Sequence, residues 1–546
     1  MENLIEELKN VIKGEVLTDD KSLEHYSTDG SVFEMKPWAI VLPKDKNDII
    51  NLVKFISKKK ITANEEIKSR LSITSRGKAT DQAGGPINDG IILRFPGYLD
   101  KILEIGEDFV RVEPGVIWSN LFDKLASSNR YIPAYPASYK FATLGGGVAN
   151  NCGGEKTVKY GSMRDWVESL KIVIASGEEI EVKKISQKEV LQKQSQDNFE
   201  GEIYRQMSDL IVSNFNLINN YQPKANKIST GYWLKDIIDD DNNFDLTKLI
   251  TGSQGTLGII TEIKLKTILR APKTALMVLA FDDLAKAGQA SYELLKTKPS
   301  ALEFVDKFVI DITRRAEPEL LNVFSQEFLN SKLLVLVEFE GENQQAIKPM
   351  MEEAKKIAQP LAKALVETYD EKEENDLWAV RRSAAVLAEK PYHNKAALPF
   401  IEDSAVPPEN LAKYLTSIYE IMNKYKLDFS VWGHAGNGNL HLQPFLNLAD
   451  SADRDKLFKI ADEVYKLAIS LGGVISAEHN DGLMRSPFLR EEFGPLYNLF
   501  VEVKKIFDPE NIFNPHKKID VDIDFSKRYL RHNYDIPDFG VKPNKS

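Results

Sequence analysis

Three of the seven histidines fall in two short motifs, Gly433-His434-Ala435-Gly436-Asn437-Gly438-Asn439-Leu440-His441 and Glu478-His479. Two imidazoles seven residues apart, in a segment whose glycines let the chain fold back on itself, can bring two ring nitrogens to one divalent ion. Glu478 offers a carboxylate as the third ligand, and His479, pointing the other way if the segment is a strand, is left to face a substrate. Zinc or another transition metal suits such donors, and three protein ligands leave a position open for substrate oxygens. A single histidine more often satisfies a polar turn, so the ligand reading rests on the number and spacing of these donors together.

Three glycine-bearing stretches suggest a second kind of chemistry. Arg76-Gly77-Lys78-Ala79-Thr80-Asp81-Gln82-Ala83-Gly84-Gly85 follows an apolar run, and such a loop can present successive backbone amides to a phosphate. It matches neither the dinucleotide fingerprint nor the P-loop, and a plain solvated loop would look much the same. Residues 143–154, Thr-Leu-Gly-Gly-Gly-Val-Ala-Asn-Asn-Cys-Gly-Gly, hold five glycines and two asparagines, which predicts exposed irregular backbone rather than a helix or strand. Gly252-Ser253-Gln254-Gly255-Thr256-Leu257-Gly258 again sets small residues before an apolar strand, Ile259-Ile260-Thr261.

Composition narrows the partners. With 81 acidic and 71 basic side chains the formal charge is −10, which repels polyphosphate, and no long Lys/Arg block offsets it, so nucleic acid is not expected. A small anionic substrate meets the same field and needs a local Arg or metal. The single cysteine, Cys152, rules out an internal disulfide framework and a cysteine-ligated iron-sulfur cluster. No run approaches the ~20 apolar residues of a membrane span, and the amphipathic start is unlike a leader, so a cytoplasmic address is expected.

At 546 residues the chain exceeds one core, and short β-like runs alternate with helical patterns, giving an α+β protein of at least two domains. Residues 39–42, 71–74, 91–95, 109–112 and 170–175 read as strands. Ile49, Leu52, Val53 and Ile56 recur at helical spacing behind a capping Asp45. Longer helical patterns at 284–295 and 350–365 follow an unperiodic stretch at 267–274. The boundaries expected are therefore 1–268, 269–518 and a tail, 519–546, that adds an edge strand or wraps the surface.

The order of the three glycine loops, with Pro136-Ala137 ahead of the second, resembles the FAD-binding domain of the vanillyl-alcohol oxidase (PCMH) type, with two subdomains followed by an α+β substrate or cap domain. Carried over by position, the resemblance implies FAD contacts at Arg76, Gly77, Lys78, Ala79, Thr80, Asp81, Pro136, Thr143, Gly146, Gly147, Asn150, Gly153, Gly154, Ile259 and Thr261. Relatives commonly have Gly where Lys78 stands. No His or Cys motif for covalent flavin attachment is present, which implies non-covalent FAD.

The histidine motifs, with Trp378-Ala379-Val380-Arg381 and Glu402-Asp403-Ser404-Ala405-Val406-Pro407, resemble the C-terminal domain of the FAD-linked D-lactate, glycolate and D-2-hydroxyglutarate dehydrogenases. Asp508-Pro509-Glu510-Asn511-Ile512-Phe513-Asn514-Pro515 fits the same family, and Asn514 falls where the family reaches back to the flavin. Asn480 and His516 stand where relatives usually have Gly.

This resemblance implies oxidation of a small D-2-hydroxy acid. The metal, held by His434, His441 and Glu478, binds the hydroxyl; Arg381 grips the carboxylate, with Arg382 a weaker candidate; and His479 is the general base. Electrons go to a separate iron-sulfur protein, cytochrome or quinone. An ether-lipid synthase resembling alkylglycerone-phosphate synthase and a flavin-binding subunit of a glycolate oxidase complex are the alternative readings. Homodimer formation and peripheral membrane docking are left open.

Overall fold

The computed structural model describes residues 2–388 and 395–534. Residues 535–546, and so the end of the expected tail, lie outside the described residues.

The front half is built on two large sheets and one two-stranded ribbon, Arg130–Tyr131 with Ile268–Leu269. A four-stranded sheet has the order Glu15–Leu17, Ala39–Leu42, Ile91–Arg94, Ile73–Arg76, with parallel pairing around Ile91–Arg94. The helix Lys46–Thr62 provides the crossover that parallel pairing requires. Asp45 caps it by accepting the Asn47 amide, and its buried Ile49, Leu52, Val53 and Ile56 stripe packs on the sheet. Each of these side chains contributes roughly 1.5–3 kcal/mol by leaving water. A six-stranded sheet follows, ordered Phe244–Asp245, Glu179–Ile185, Val167–Val173, Ile259–Lys266, Phe109–Val112, Ile102–Ile105.

The second half is a seven-stranded sheet, ordered Ala364–Thr368, Lys273–Phe281, Leu333–Gly341, Ala301–Asp306, Phe429–His434, Asn439–Leu446, Ala396–Ala397. Its central strands are buried along nearly their whole length and covered by helices. This layering explains their near-continuous apolar sequence.

Three local expectations are corrected, and of the two outcomes expected for the tail one is found. Residues 144–150 form a helix despite their glycines, because Thr143 accepts the Gly146 amide at its start and Asn151, in the left-handed region, closes its end. The pattern at 350–365 joins two elements: the helix Gln344–Ala358 ends just before Pro360, and Ala364–Thr368 is a strand. The strand expected at 71–74 lies at Ile73–Arg76. The tail adds no edge strand among the described residues; Ile523–Lys527 is a short helix, and Arg531 donates to the Phe33 and Asp29 carbonyls, so the segment wraps the N-terminal half.

Candidate functional site

The motif bearing two histidines folds as a hairpin. Phe429–His434 pairs with Asn439–Leu446, placing Trp432 opposite His441 and His434 opposite Asn439. Gly438 makes the turn at φ +63°, and a side chain there would strike the Val406 carbonyl. Both imidazoles point to one place: His434 Nε2 and His441 Nε2 lie 3.2 and 3.1 Å from the same atom, Glu478 Oε1. Glu478 and His479 sit on a bend, not a strand, so His479 does not point away as expected. Its Nε2 is 3.6 Å from Glu478 Oε1, and its ring stacks on His441 at 5.1 Å.

The bend is held by Asp403, whose Oδ2 accepts the Ser476 hydroxyl and the backbone amides of Ala477, Glu478 and His479 at 2.5–3.0 Å. Asp403 lies close enough to His441, Glu478 and His479 to share an ion, although its Oδ2 is already taken by these four donors and its Oδ1 accepts from Asn439 Nδ2. Glu402 accepts from His479 Nδ1 at 2.8 Å and from Arg485 at 2.6 Å. His434 Nδ1 is 2.7 Å from Glu303 Oε1, and His441 Nδ1 is 3.2 Å from the Glu402 carbonyl.

With both Nδ1 atoms facing acceptors, the Nε2 lone pairs of His434 and His441 face a carboxylate oxygen, an arrangement that only a cation or a proton relieves. Ligands ~2.0–2.1 Å from a tetrahedral ion stand about 3.3 Å apart, close to the distances found. Two of the three protonation states agree. Burial, only partly offset by Glu478, lowers His441 to about 4, so it is neutral. Burial opposes the charge of Glu478, yet Lys227 and His434 hold it well below the usual carboxylate range. Those two are the states that metal ligation requires; at His434 burial opposes charge but Glu303 and Glu478 raise its proton affinity, so an ion bound there displaces a proton, and with that exchange the donor set fits a divalent ion. Burial likewise opposes charge on His479, but Asp403 and Glu402 raise it to about 9. Glu402 is lowered to about 2, with Arg485 and His479 overcoming its burial.

Arg381 arrives on the helix Glu371–Ala388, and its Nη2 pairs with Glu303 Oε2 at 2.6 Å. Its Nε is buried without a partner. Arg382 points elsewhere and pairs with Glu155 at 3.1 Å.

The glycine loops close on one another. A side chain at Gly77 would meet Thr143 Oγ1 at 2.3 Å, so only glycine allows loop 76–85 to lie against the cap of helix Leu144–Asn150. Asp81 accepts the amides of Ala83 and Gly85 and the Asn150 side chain, and Ala79 takes φ +56°. Thr80 faces Ser138 in the turn opened by Pro136. Asn514 donates to the Gly85 and Gln254 carbonyls, bringing the third loop in.

Lys78 lines a cavity of about 270 Å³ with Arg94. Arg76 is turned inward, donating to the Tyr26 and Thr28 carbonyls. Gly146 and Gly147 lie within the helix, and Gly154 is held by Thr157. Ile259 and Thr261 are not brought into this cluster by their side chains: Ile259 is in the apolar core, and Thr261 donates to Glu179.

The loops also touch the histidine cluster. A Cβ at Gly153 would lie 3.4 Å from Glu478 Oε2, and Asn480 donates to the Asn150 and Gly252 carbonyls. Asn480 has φ +67° and His516 φ +63°, so both departures from Gly occupy backbone that glycine favours. Asn480 faces the loops rather than the imidazoles.

Sequence reasoning missed Lys227, Glu303 and Arg485, and gave Gln254, Glu402 and Asp403 no role. Glu303 carried a signal, an acid in the apolar run Ala301-Leu302-Glu303-Phe304-Val305, since a buried charge demands partners. Lys227 carried none.

Comparisons with known proteins agree with this architecture. A family model described as FAD binding domain matches residues 37–183, and one described as FAD linked oxidases, C-terminal domain, matches 270–518. The chain is 29% identical to D-2-hydroxyglutarate dehydrogenase of Haemophilus influenzae, over 92% of this chain and 50% of that protein. It is 27% identical to D-lactate dehydrogenase of Anaerostipes hadrus, over 94% and 96%. The chain thus spans about half the length of the D-2-hydroxyglutarate dehydrogenases it matches first. Among solved structures, 4-ethylphenol oxidase from Gulosibacter chungangensis has the same fold, with a TM-score of 0.68 at 15% identity over 96% of this chain and 98% of that one. No helix among the described residues is long and apolar enough to cross a membrane. The chain thus carries an FAD binding domain followed by the C-terminal domain of the FAD linked oxidases.

Proposed function

We propose that the chain oxidises a small D-2-hydroxy acid to the 2-oxo acid and hands the two electrons to a separate acceptor. The observation that carries this reading is the approach of the loop at Gly153 to Glu478, which sets the histidine and carboxylate cluster beside the loops assigned to FAD. Oxidising the C2 alcohol removes one hydride and one proton; non-covalent FAD supplies the hydride acceptor, and a divalent metal held by His434, His441 and Glu478 supplies Lewis-acid polarisation of the hydroxyl.

The chain's own residues supply the rest. Arg381, with an unfilled buried donor, binds the substrate carboxylate. His479 accepts the hydroxyl proton at Nε2, and Glu402 fixes its other nitrogen. Its high proton affinity falls when positive charge is added beside Glu478. Asp403 keeps the bend rigid, so base and ligand move together. The acceptor is an iron-sulfur protein, cytochrome or quinone, and the site of action is cytoplasmic.

The test is anaerobic titration of the yellow protein with D-lactate, glycolate and D-2-hydroxyglutarate, followed at the flavin bands. Bleaching by at least one of them supports the reading. Absence of bleaching by all three, in protein containing stoichiometric FAD and metal, counts against it.

A further inference from the structure

Glu303 is a carboxylate in the interior of a sheet. It lies on the strand Ala301–Asp306, every residue of which is buried, and is itself 1% exposed. A lone carboxylate in such a place is costly, so its partners explain its presence. There are two. Oε1 lies 2.7 Å from His434 Nδ1, the ring nitrogen remote from Glu478, and Oε2 lies 2.6 Å from Arg381 Nη2. One buried group therefore touches both a candidate metal ligand and the candidate substrate cation, which come from elements far apart in sequence.

Each contact has a directional consequence. A carboxylate at Nδ1 holds a proton there, so that Nε2 is the nitrogen left to meet an ion beside Glu478, and it makes the imidazole a better donor to that ion. At the other end, Glu303 holds one terminal nitrogen of Arg381 by charge at 2.6 Å, without hydrogen-bond geometry, and so draws the guanidinium toward His434. The Nε of that guanidinium is buried and lacks a partner, in a side chain 10% exposed, so the fork keeps an unused donor for an incoming anion.

We propose that Glu303 is a positioning residue that ties metal retention to substrate-carboxylate binding, by orienting His434 and Arg381 from a single carboxylate. This rests on the metal and substrate reading given above. A purely structural ion pair with Arg381 would instead leave metal affinity unchanged when Glu303 is neutralised.

The test uses the FAD-loaded chain stripped with a chelator, with zinc(II) affinity read by competition against a chromophoric chelator and oxalate affinity read from the flavin spectrum. Glu303→Gln keeps shape and removes charge. It is expected to weaken zinc(II) binding about 10- to 100-fold and to weaken oxalate as well, with FAD content unchanged. Glu303→Asp, which keeps the charge, is expected to fall between the two proteins for zinc(II), and it serves as the test by itself if the Gln variant does not fold.

Wild-type zinc(II) and oxalate affinities in whichever variant folds would overturn the proposal. So would oxalate weakening alone, which would reduce Glu303 to a partner of Arg381. A wild-type chain that binds no stoichiometric zinc(II) would instead overturn the reading of the site itself, so the two failures are distinct.

Discussion

Lys227 Nζ lies 2.7 Å from Glu478 Oε2, while Oε1 of the same carboxylate faces His434 and His441. The lysine side chain is fully buried and also donates to Asn439 Oδ1 at 3.0 Å. A charge from the loop side of the molecule thus neutralises one end of a carboxylate whose other end is open to a metal.

Removing that lysine leaves Glu478 buried beside fewer positive charges. Lys227→Met is expected to destabilise the metal-free protein by about 3–5 kcal/mol, the range for breaking a buried pair. Added zinc(II) then replaces the missing charge, so the rise in Tm on adding zinc(II) is larger in the variant than in the wild type. Thermal unfolding of both proteins, stripped and loaded, measures this, and equal rises would contradict it.

His479→Ala is expected to keep bound FAD and to slow anaerobic bleaching by the active hydroxy acid about 10²- to 10⁴-fold, the usual contribution of a placed proton acceptor. Glu402→Gln, which loosens the ring by removing the charge at Nδ1, is expected to lie between the two. Stopped-flow absorbance gives all three rates. Normal bleaching in the alanine variant removes His479 from the chemistry.

Gly77→Ala places a methyl group 2.3 Å from Thr143 Oγ1, closer than any packing allows. Loop 76–85 must then move off the cap of the following helix. The purified variant is expected to be colourless, with FAD added back binding at least tenfold more weakly; spectrophotometric titration with FAD reads this, and full flavin content would contradict it.

Glu492 gives the stability a slope with pH. Thr230 Oγ1 lies 2.8 Å from both Glu492 Oε2 and Asp481 Oδ1 and has one proton to donate, so one carboxyl must supply the other. Burial, and then the Asp481 charge, raise Glu492 from 4.5 to about 8. Its contribution is therefore full below about 4.5 and is lost as pH rises toward about 8, because the unfolded chain releases that proton first. In Glu492→Gln the amide donates to Thr230 and its oxygen accepts the Ile475 amide. Urea midpoints at pH 5, 6.5 and 8 are expected to decline more steeply in the wild type than in this variant, and parallel curves would contradict the assignment.

Much of the site was legible because its signals are local. The hairpin at 429–446 and the loop at 76–85 declare themselves through glycines and histidines a few residues apart. The helix Leu144–Asn150 was not legible, because its caps, Thr143 and Asn151, outweigh glycine's poor propensity. The orientation of His479 was misjudged because four donors to Asp403 bend the segment. Lys227 and Glu303 stand 251 and 131 residues from the partners that give them meaning. Packing of the loop segments against the second half brings Lys227 to Glu478, and pairing of the strands Ala301–Asp306 and Phe429–His434 brings Glu303 to His434.

The central claim is that imidazoles and a carboxylate hold a metal beside the flavin and that both take part in one oxidation. The most direct measurement is anaerobic flavin bleaching by a D-2-hydroxy acid in three samples of one preparation: as purified with metal, chelator-stripped, and stripped then reloaded with zinc(II) or manganese(II). The account predicts bleaching, its loss with FAD still bound, and its return. Equal bleaching in the stripped protein would contradict it.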